Sequence, residues 1–179
     1  MAENKINIED VLRQEGWVVG EVPPGCEPAG PGAISTWVAG VPAPQGSKRP
    51  LGRRGGFGKV IMVESSTKVK PWREDVRQAF LDRWLRTGER QVLTGPVVVK
   101  IVFVMPRTKA MGTKPAPPMV QKPDLDKLVR AVLDALKSAC VYADDSQVVT
   151  VLAHKRRAEP GEATGAMIHI EPDTPGHLI

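Results

Sequence analysis

Hydrophobic residues recur at helical spacing in two stretches of the chain. In the first, from Pro71 to Arg86, a large apolar side chain stands at every fourth position and Gly88 follows as a stop signal. In the second, from Leu125 to Lys137, six aliphatic residues form one continuous face. Pro123 disfavours helix just before this face, and Asp124 has a side chain that caps a first turn. The pattern predicts two amphipathic helices.

Strand patterns alternate with these helices. Val97 to Met105 is almost entirely apolar and rich in β-branched residues, which is typical of a central strand. Shorter strands are predicted at residues 36–40, 59–63, 147–153 and 165–170, with basic loops at 45–58 and 107–123. The order β-β-α-β-α-β-β predicts an α+β domain with two main helices packed on one mixed β-sheet.

Charge separates the N-terminal part from this domain. The formal net charge of the 179 residues is +5, yet residues 1–34 hold six acidic and two basic side chains. Ile6 to Trp17 is predicted as a short helix, followed by a segment rich in proline and glycine. We therefore expect an acidic extension and linker at 1–34, the folded domain at 35–171 and a tail at 172–179. The positive charge of the domain favours a polyanionic partner.

Several protein classes are disfavoured by the same sequence. The two cysteines, Cys26 and Cys140, fit a reducing compartment and have no partner at a metal-ligand spacing. No apolar run approaches the length of a membrane span, and no signal-peptide pattern is present. Gly-Gly-Phe-Gly at 55–58 lacks the Gly-Lys-Ser/Thr of a phosphate-binding P-loop. We expect a cytoplasmic protein of a bacterium or phage-infected host, with no membrane partner and no small-molecule cofactor.

The polar face of the second helix carries the candidate chemistry. Asp126, Arg130 and Asp134 follow one another at intervals of four, opposite the aliphatic face. Aspartates at a helix start are also ordinary caps that favour the helix dipole. The acid–base–acid row therefore indicates a site only if further acidic residues come close to it.

A second acidic pair supplies those residues. Asp144 and Asp145 follow the helix after a short turn and precede a predicted strand. If that strand doubles back along the helix, the pair approaches the carboxylates at the helix start. Converging carboxylates repel one another, and a hard divalent cation such as Mg²⁺ removes that penalty. Histidine and cysteine show no ligand-like grouping, which disfavours zinc.

These residues resemble a known family. The run KPDLDKLVRAVLDAL at 122–136, followed by DDSQVV at 144–149, is similar to the signature of the RusA-like Holliday junction resolvases, which phages and prophages commonly encode. Weaker similarity extends over residues 35–170 and includes Gly-Val-Pro at 40–42. The resemblance implies homodimers that bind four-way DNA junctions and nick two strands of like polarity symmetrically. It also implies a requirement for Mg²⁺ or Mn²⁺.

The resemblance also implies roles for single residues. The implied catalytic, metal-binding aspartates are Asp124, Asp126 and Asp145. Asp144 stands beside the third of these. The family's basic catalytic residue, a lysine in the best-known members, falls on Arg130, which keeps the positive charge but not the titratable ammonium. Lys127 stands where some relatives have asparagine, and its role is open.

The mechanism expected from these residues is hydrolysis of a DNA phosphodiester by a metal-bound water. The three aspartates would hold one or two Mg²⁺ ions, and Arg130 would offset the charge that develops in the transition state. We expect Asp134 to orient Arg130 through an i,i+4 pair rather than to bind metal.

Three basic clusters are candidate contacts for the DNA backbone, because carboxylates repel phosphates and cations must hold the substrate. They are Lys48, Arg49, Arg53 and Arg54 in the first basic loop, Arg107, Lys109, Lys114 and Lys122 in the second, and Lys155, Arg156 and Arg157 near the turn between the last two strands.

Three alternative functions remain open at this stage. The same metal site would serve a branched-DNA or flap endonuclease of phage replication or packaging. The aspartates would be only caps and turn formers in a non-catalytic junction-binding protein. A phosphoryl-transfer enzyme acting on small phosphates is the third alternative, and the missing P-loop counts against it.

Overall fold

The structure is a computed structural model that describes residues 32–46, 48–53, 60–64, 67–88 and 92–173. The predicted helix at 6–17, its linker, Arg54 and the end of the tail lie outside the described residues. The division of the chain at residues 34 and 171 therefore stays a prediction.

The centre of the fold is a four-stranded mixed sheet. Its strands, in spatial order, are β1 (Ile34–Ala39), β6 (Gly165–Pro172), β4 (Val97–Met105) and β5 (Val148–Arg157). β4 pairs parallel to β5 and antiparallel to β6, and β1 pairs antiparallel to β6. The predicted central strand at 97–105 and the mixed sheet are confirmed.

A second, two-stranded sheet departs from the prediction. β2 (Lys48–Arg53) and β3 (Val60–Glu64) pair antiparallel with each other, with an irregularity between residues 50 and 52. The prediction of one sheet, with residues 45–58 as a loop, was therefore wrong in this region. Glycine, proline and basic residues disfavour a strand locally, but pairing with β3 supplies the hydrogen bonds. Three of the candidate DNA contacts, Lys48, Arg49 and Arg53, lie on β2.

Two helices pack against each other and against one face of the four-stranded sheet, which confirms the α+β prediction. They are α1 (Val69–Thr87) and α2 (Leu125–Ser138). The predicted stripe of α1, from Trp72 to Trp84, is buried, and Gly88 ends the helix in a left-handed conformation with φ of 69°. Burial of each large side chain contributes about 2 kcal/mol. Neither helix of the described ranges has a stretch long and apolar enough to cross a membrane.

β5 is longer than the sequence predicts. The strand continues through the basic residues 154–157, which were expected near a turn, because β4 pairs with it as far as Met105 opposite Arg157. The side chains of residues 151 and 153 face α2, since both line a cavity together with that helix. β5 therefore lines the cavity beside α2 with its middle residues and reaches the second basic loop with its last residues.

The other face of the sheet carries a polar cluster around a buried lysine. Lys100 is 6% exposed and forms an ion pair with Glu171 at 2.7 Å. His169 Nε2 lies 3.0 Å from Glu171 Oε2, and His169 Nδ1 lies 2.7 Å from Ser35 Oγ. Although burial opposes ionisation, the hydrogen bonds from Lys100 and His169 hold the pKa of Glu171 below its usual value. These four residues form the sheet cluster.

Candidate active site

A cavity of about 610 Å³ lies between α2 and β5. Its polar lining consists of Asp126, Arg130, Asp134 and Asp145. Val151 and Ala153 of β5 belong to the opposite wall. The chain does double back along the helix, so the acidic row of α2 and one member of the second acidic pair share a cavity.

The position of Asp145 follows from contacts of the turn that carries it. The buried Tyr142 donates a hydrogen bond from its hydroxyl to the carbonyl of Leu133 in α2 at 3.0 Å. Gln147, at the other end of the turn, donates from its side chain to the carbonyl of Leu93 at 3.0 Å. The turn is therefore fixed on both sides, and Asp145 is held at the edge of the cavity.

Asp144 and Asp145 have opposite environments. Asp144 accepts a hydrogen bond from the Ser146 amide at 3.1 Å and one from Lys137 Nζ at 2.5 Å, and the bond from Lys137 helps to lower the pKa of Asp144 to about 2. Asp145 Oδ1 is buried without a hydrogen-bond partner among the described residues. Burial, together with the neighbouring carboxylates, raises the pKa of Asp145. Asp144 fixes the turn, whereas Asp145 has one carboxylate oxygen without a hydrogen bond among the described residues.

Asp124 does not act as the predicted cap. It occupies the position before the first turn of α2, but its side chain accepts no capping hydrogen bond. Its carboxylate pairs with Lys127 at 2.9 Å, and the hydrogen bond from Lys127 lowers the pKa of Asp124. The same bond and the charge of nearby Asp126 raise the pKa of Lys127. The ammonium of Lys127 therefore lies beside the carboxylates at the helix start.

Asp134 has a partner that the sequence does not point to. Its carboxylate pairs with Arg73 of α1, and the predicted i,i+4 pair with Arg130 is not formed. Arg73 also donates to the side-chain oxygen of Gln45. The backbone amide of Gln45 donates in turn to the carbonyl of Lys127 at 2.9 Å. Arg73 is 28 residues from one partner and 61 from the other, so no local spacing in the sequence signals these contacts.

Arg130 is the unpaired cation of the cavity. It is exposed, and within the described part of the chain its side chain has no hydrogen bond and no ion pair. Its charge nevertheless acts on Asp145, where it opposes the rise in pKa. A guanidinium without an internal partner is available to an anion that enters the cavity.

The carboxylates of the site fit a hard cation in kind, although they do not form one cluster. Asp126 and Asp134 are two turns apart on α2, about 12 Å along the axis. Across the described ranges, no three acidic, histidine or cysteine side chains come close enough to hold one ion together. The predicted ligand set of three aspartates therefore stays a prediction. The partnerless oxygen of Asp145 and the other carboxylates of the cavity are the oxygen ligands that Mg²⁺ prefers.

Four of the predicted DNA-binding cations make internal contacts. Arg107 donates to two carbonyls of residues 107–123, named here the lysine loop, at 2.5 and 3.1 Å. Lys155 donates to two further carbonyls of this loop at 2.7 and 2.9 Å. Arg157 donates to the carbonyl of Pro106 at 2.6 Å, and Arg156 pairs with Glu162 at 2.6 Å. Lys155, Arg157 and Arg107 therefore fix the lysine loop against the end of β5, whereas Arg156 holds the connection that follows β5.

The three lysines of the loop remain exposed. Lys109, Lys114 and Lys122 make no side-chain hydrogen bond or ion pair with any residue that the structure describes. The second basic cluster is therefore divided between Arg107, which holds the loop, and three lysines that are exposed to solvent.

Comparison with known proteins extends these observations. A family model described as "Endodeoxyribonuclease RusA" matches residues 41–171. The match covers α1, α2, the cavity and the lysine loop. A search of curated proteins found no match.

Proposed function

Because the chain belongs to the RusA endodeoxyribonuclease family, we propose that it is a Mg²⁺-dependent endonuclease that resolves four-way junctions by paired, symmetric nicks. The observation that carries the proposal is the cavity that Asp126, Arg130 and Asp145 line. It combines carboxylate oxygens for a cation with a guanidinium for a phosphate. A nuclease that cleaves by metal-assisted hydrolysis needs both.

The proposed mechanism assigns different roles in hydrolysis to the aspartates and to Arg130. Asp124, Asp126 and Asp145 would hold Mg²⁺, or Mn²⁺ in its place, and a bound ion lowers the pKa of its water and polarises the phosphoryl oxygen. Arg130 binds the scissile phosphate and offsets the negative charge that grows on its oxygens. Arginine is a poor proton donor, so the role of Arg130 is electrostatic.

The exposed lysines account for substrate binding. Lys109, Lys114 and Lys122 contact the DNA backbone, since they are free of internal partners and lie on a loop that is fixed to the sheet. Phosphate contacts by lysine release counterions, so binding is expected to weaken steeply as salt rises. The lysines therefore position the DNA, and the residues of the cavity catalyse its cleavage.

Paired nicks require two sites. A two-fold homodimer presents two identical cavities at a fixed separation, which suits two symmetric cuts in one junction. We therefore propose that the active form is a homodimer, and that it acts in DNA recombination and repair in the cytoplasm of a bacterium or a phage-infected host.

The decisive experiment compares the parent protein with Asp126→Asn on an immobile synthetic junction, a flap and a linear duplex. The parent is expected to cleave the junction only with Mg²⁺. Asp126→Asn is expected to bind the junction and to cleave it slower by about 10³-fold or more. Asp82→Asn, which changes an exposed aspartate of α1 outside the cavity, is the matched control and should cleave normally.

Each other result has a definite meaning. Preferential cleavage of the flap would replace junction resolution with a flap endonuclease. Binding without cleavage by the parent at any Mg²⁺ concentration would indicate a non-catalytic junction-binding protein. Loss of folding in Asp126→Asn would make this aspartate structural. A rise in melting temperature on addition of Mg²⁺ to the parent alone would support a carboxylate-lined metal site independently of cleavage.

A further inference from the structure

The contact between Arg73 and Asp134 has a function beyond stabilising the fold. We propose that Arg73 is a positioning residue of the active site, which occupies Asp134 and thereby keeps the guanidinium of Arg130 available to the DNA phosphate. This inference rests on the proposed nuclease function, because it concerns how the phosphate-binding cation is kept free.

The first step of the argument is the competition for Asp134. Arg130 and Asp134 stand four residues apart on α2 and both line the cavity. Oppositely charged side chains at this spacing are neighbours on a helix surface and ordinarily pair. Here Asp134 pairs with Arg73 instead, and Arg130 has no ion pair among the described residues.

The second step is the support that holds Arg73. The same terminal nitrogen that binds Asp134 donates to Gln45, which is 8% exposed. The backbone amide of Gln45 is in turn bonded to the carbonyl of Lys127 at 2.9 Å. Arg73, which belongs to α1, thus contacts both the segment after β1 and α2. Arg130 is exposed and would lose side-chain freedom on pairing, so the supported cation has the advantage.

The third step is the charge of the cavity. Asp134 lines the cavity together with Asp126 and Asp145, so its negative charge adds to carboxylates that already repel a phosphate. Arg73 neutralises Asp134 from the side of α1. Loss of Arg73 would leave a carboxylate that repels the phosphate and attracts Arg130. Both effects lower the rate of the chemical step.

The test is a double-mutant cycle with single-turnover cleavage at saturating junction. Arg73→Gln is expected to slow cleavage about tenfold or more, because Arg130 is captured by Asp134. In the Asp134→Asn background, Arg73→Gln should have no further effect, because no carboxylate is left to capture Arg130. Arg73→Lys should recover part of the rate. Arg77→Gln, which breaks the exposed pair with Glu74 on the same helix, is the matched control and should cleave like the parent.

A second readout needs no DNA. The side-chain Nε–Hε resonance of Arg130, followed by NMR on the full chain, should shift in Arg73→Gln towards the position of a paired guanidinium and should not shift in Arg73→Gln/Asp134→Asn. An unchanged resonance in Arg73→Gln would overturn the inference. An equal loss of rate from Arg73→Gln in both backgrounds would also overturn it, since Arg73 would then act without Asp134.

The two proposals fail in different ways. A parent protein that cleaves no junction refutes the nuclease proposal, while the NMR comparison still decides the pairing of Arg130. A parent that cleaves, together with an Arg73→Gln protein that cleaves equally fast, refutes only the role of Arg73.

Discussion

Two groups of charged side chains lie on opposite faces of the same sheet and are paired differently. In the sheet cluster, Lys100, Glu171 and His169 each contact another member. In the cavity, Arg130 has no partner among the described residues and Asp145 keeps one buried oxygen unbonded. The charged groups of the sheet cluster are satisfied within the protein, whereas Arg130 and Asp145 of the cavity are left incomplete.

The difference separates structural charges from functional ones. A buried charge without a partner is costly, so it persists where a ligand completes it. The sheet cluster needs no ligand and should matter to stability. Under the proposed function, the cavity binds a cation and a phosphate and should matter to catalysis. The substitutions below test this division, beginning with the largest expected effect.

Removal of the unpaired cation should have a large effect on catalysis and little on folding. Arg130→Ala is expected to slow cleavage about 10²–10³-fold, because the charge that develops on the phosphate is no longer offset. Its melting temperature should stay that of the parent, since no described contact is lost. Arg130→Lys is the control and should retain much of the activity. An alanine variant that cleaves as fast as the parent would refute the role given to Arg130.

The sheet cluster should behave in the opposite way. Lys100→Met is expected to lower the free energy of unfolding by about 3 kcal/mol, because Glu171 keeps a buried charge without its main partner. Urea denaturation measures this loss, and the cleavage rate per folded molecule should not change. Adding Glu171→Gln to the Lys100→Met protein removes the unpaired carboxylate charge and should recover part of the stability. A loss of cleavage without a loss of stability would contradict the division between the two faces.

The lysine loop offers a test of intermediate size. The triple change of Lys109, Lys114 and Lys122 to glutamine should weaken junction binding and reduce the slope of log Kd against log salt by about 3. Lys70→Gln, on the exposed surface of α1, should leave that slope unchanged. An unchanged slope in the triple variant would place the DNA on another surface.

The smallest effect concerns the pH dependence of stability. The pKa of Asp145 is raised in the folded protein, so its protonated form stabilises the fold and this contribution is lost as pH rises through the folded pKa. At pH 7 the charged carboxylate therefore opposes folding. Asp145→Asn should therefore stabilise the protein there, and this gain should vanish as pH falls below the range in which a free aspartate titrates.

Asp144→Asn is the matched control for that measurement, with the opposite sign. The pKa of Asp144 is lowered to about 2, so its contribution to stability is present above the unfolded pKa and is lost as pH falls through about 2. Its replacement should destabilise the protein at pH 7. Thermal melts of both variants between pH 3 and about pH 8 give the comparison, and equal signs would contradict it.

Local patterns predicted much of the fold. β4 was predicted with its observed bounds, and α2 was predicted to within one residue, because one is a continuous apolar run and the other has a clear aliphatic face. Asp144 or Asp145 was predicted to approach the carboxylates at the start of α2; Asp145 and Asp126 line one cavity, and their convergence with Asp124 stays a prediction. All of these predictions rest on residue spacing within a few helical turns or on a short connection between two elements.

Long-range pairing explains what the sequence could not predict. β2 is a strand only because β3 pairs with it, and β5 continues through basic residues because β4 continues beside it. The pairing of Asp134 with Arg73 depends on where two helices meet. None of these contacts leaves a periodic signal in the sequence. Local patterns therefore predicted a loop in place of β2, a turn near the end of β5, and an i,i+4 pair between Arg130 and Asp134.

The anchorage of the lysine loop has a mechanical consequence. Lys155 bonds two carbonyls of the loop, the second of them at Pro123, immediately before Asp124. Lys155 and Arg157 belong to the edge strand β5, so the loop is attached to the sheet as well as to α2. If the loop binds DNA as proposed, part of any displacement of the bound DNA would be taken up by β5, and the carboxylates at the start of α2 would move less.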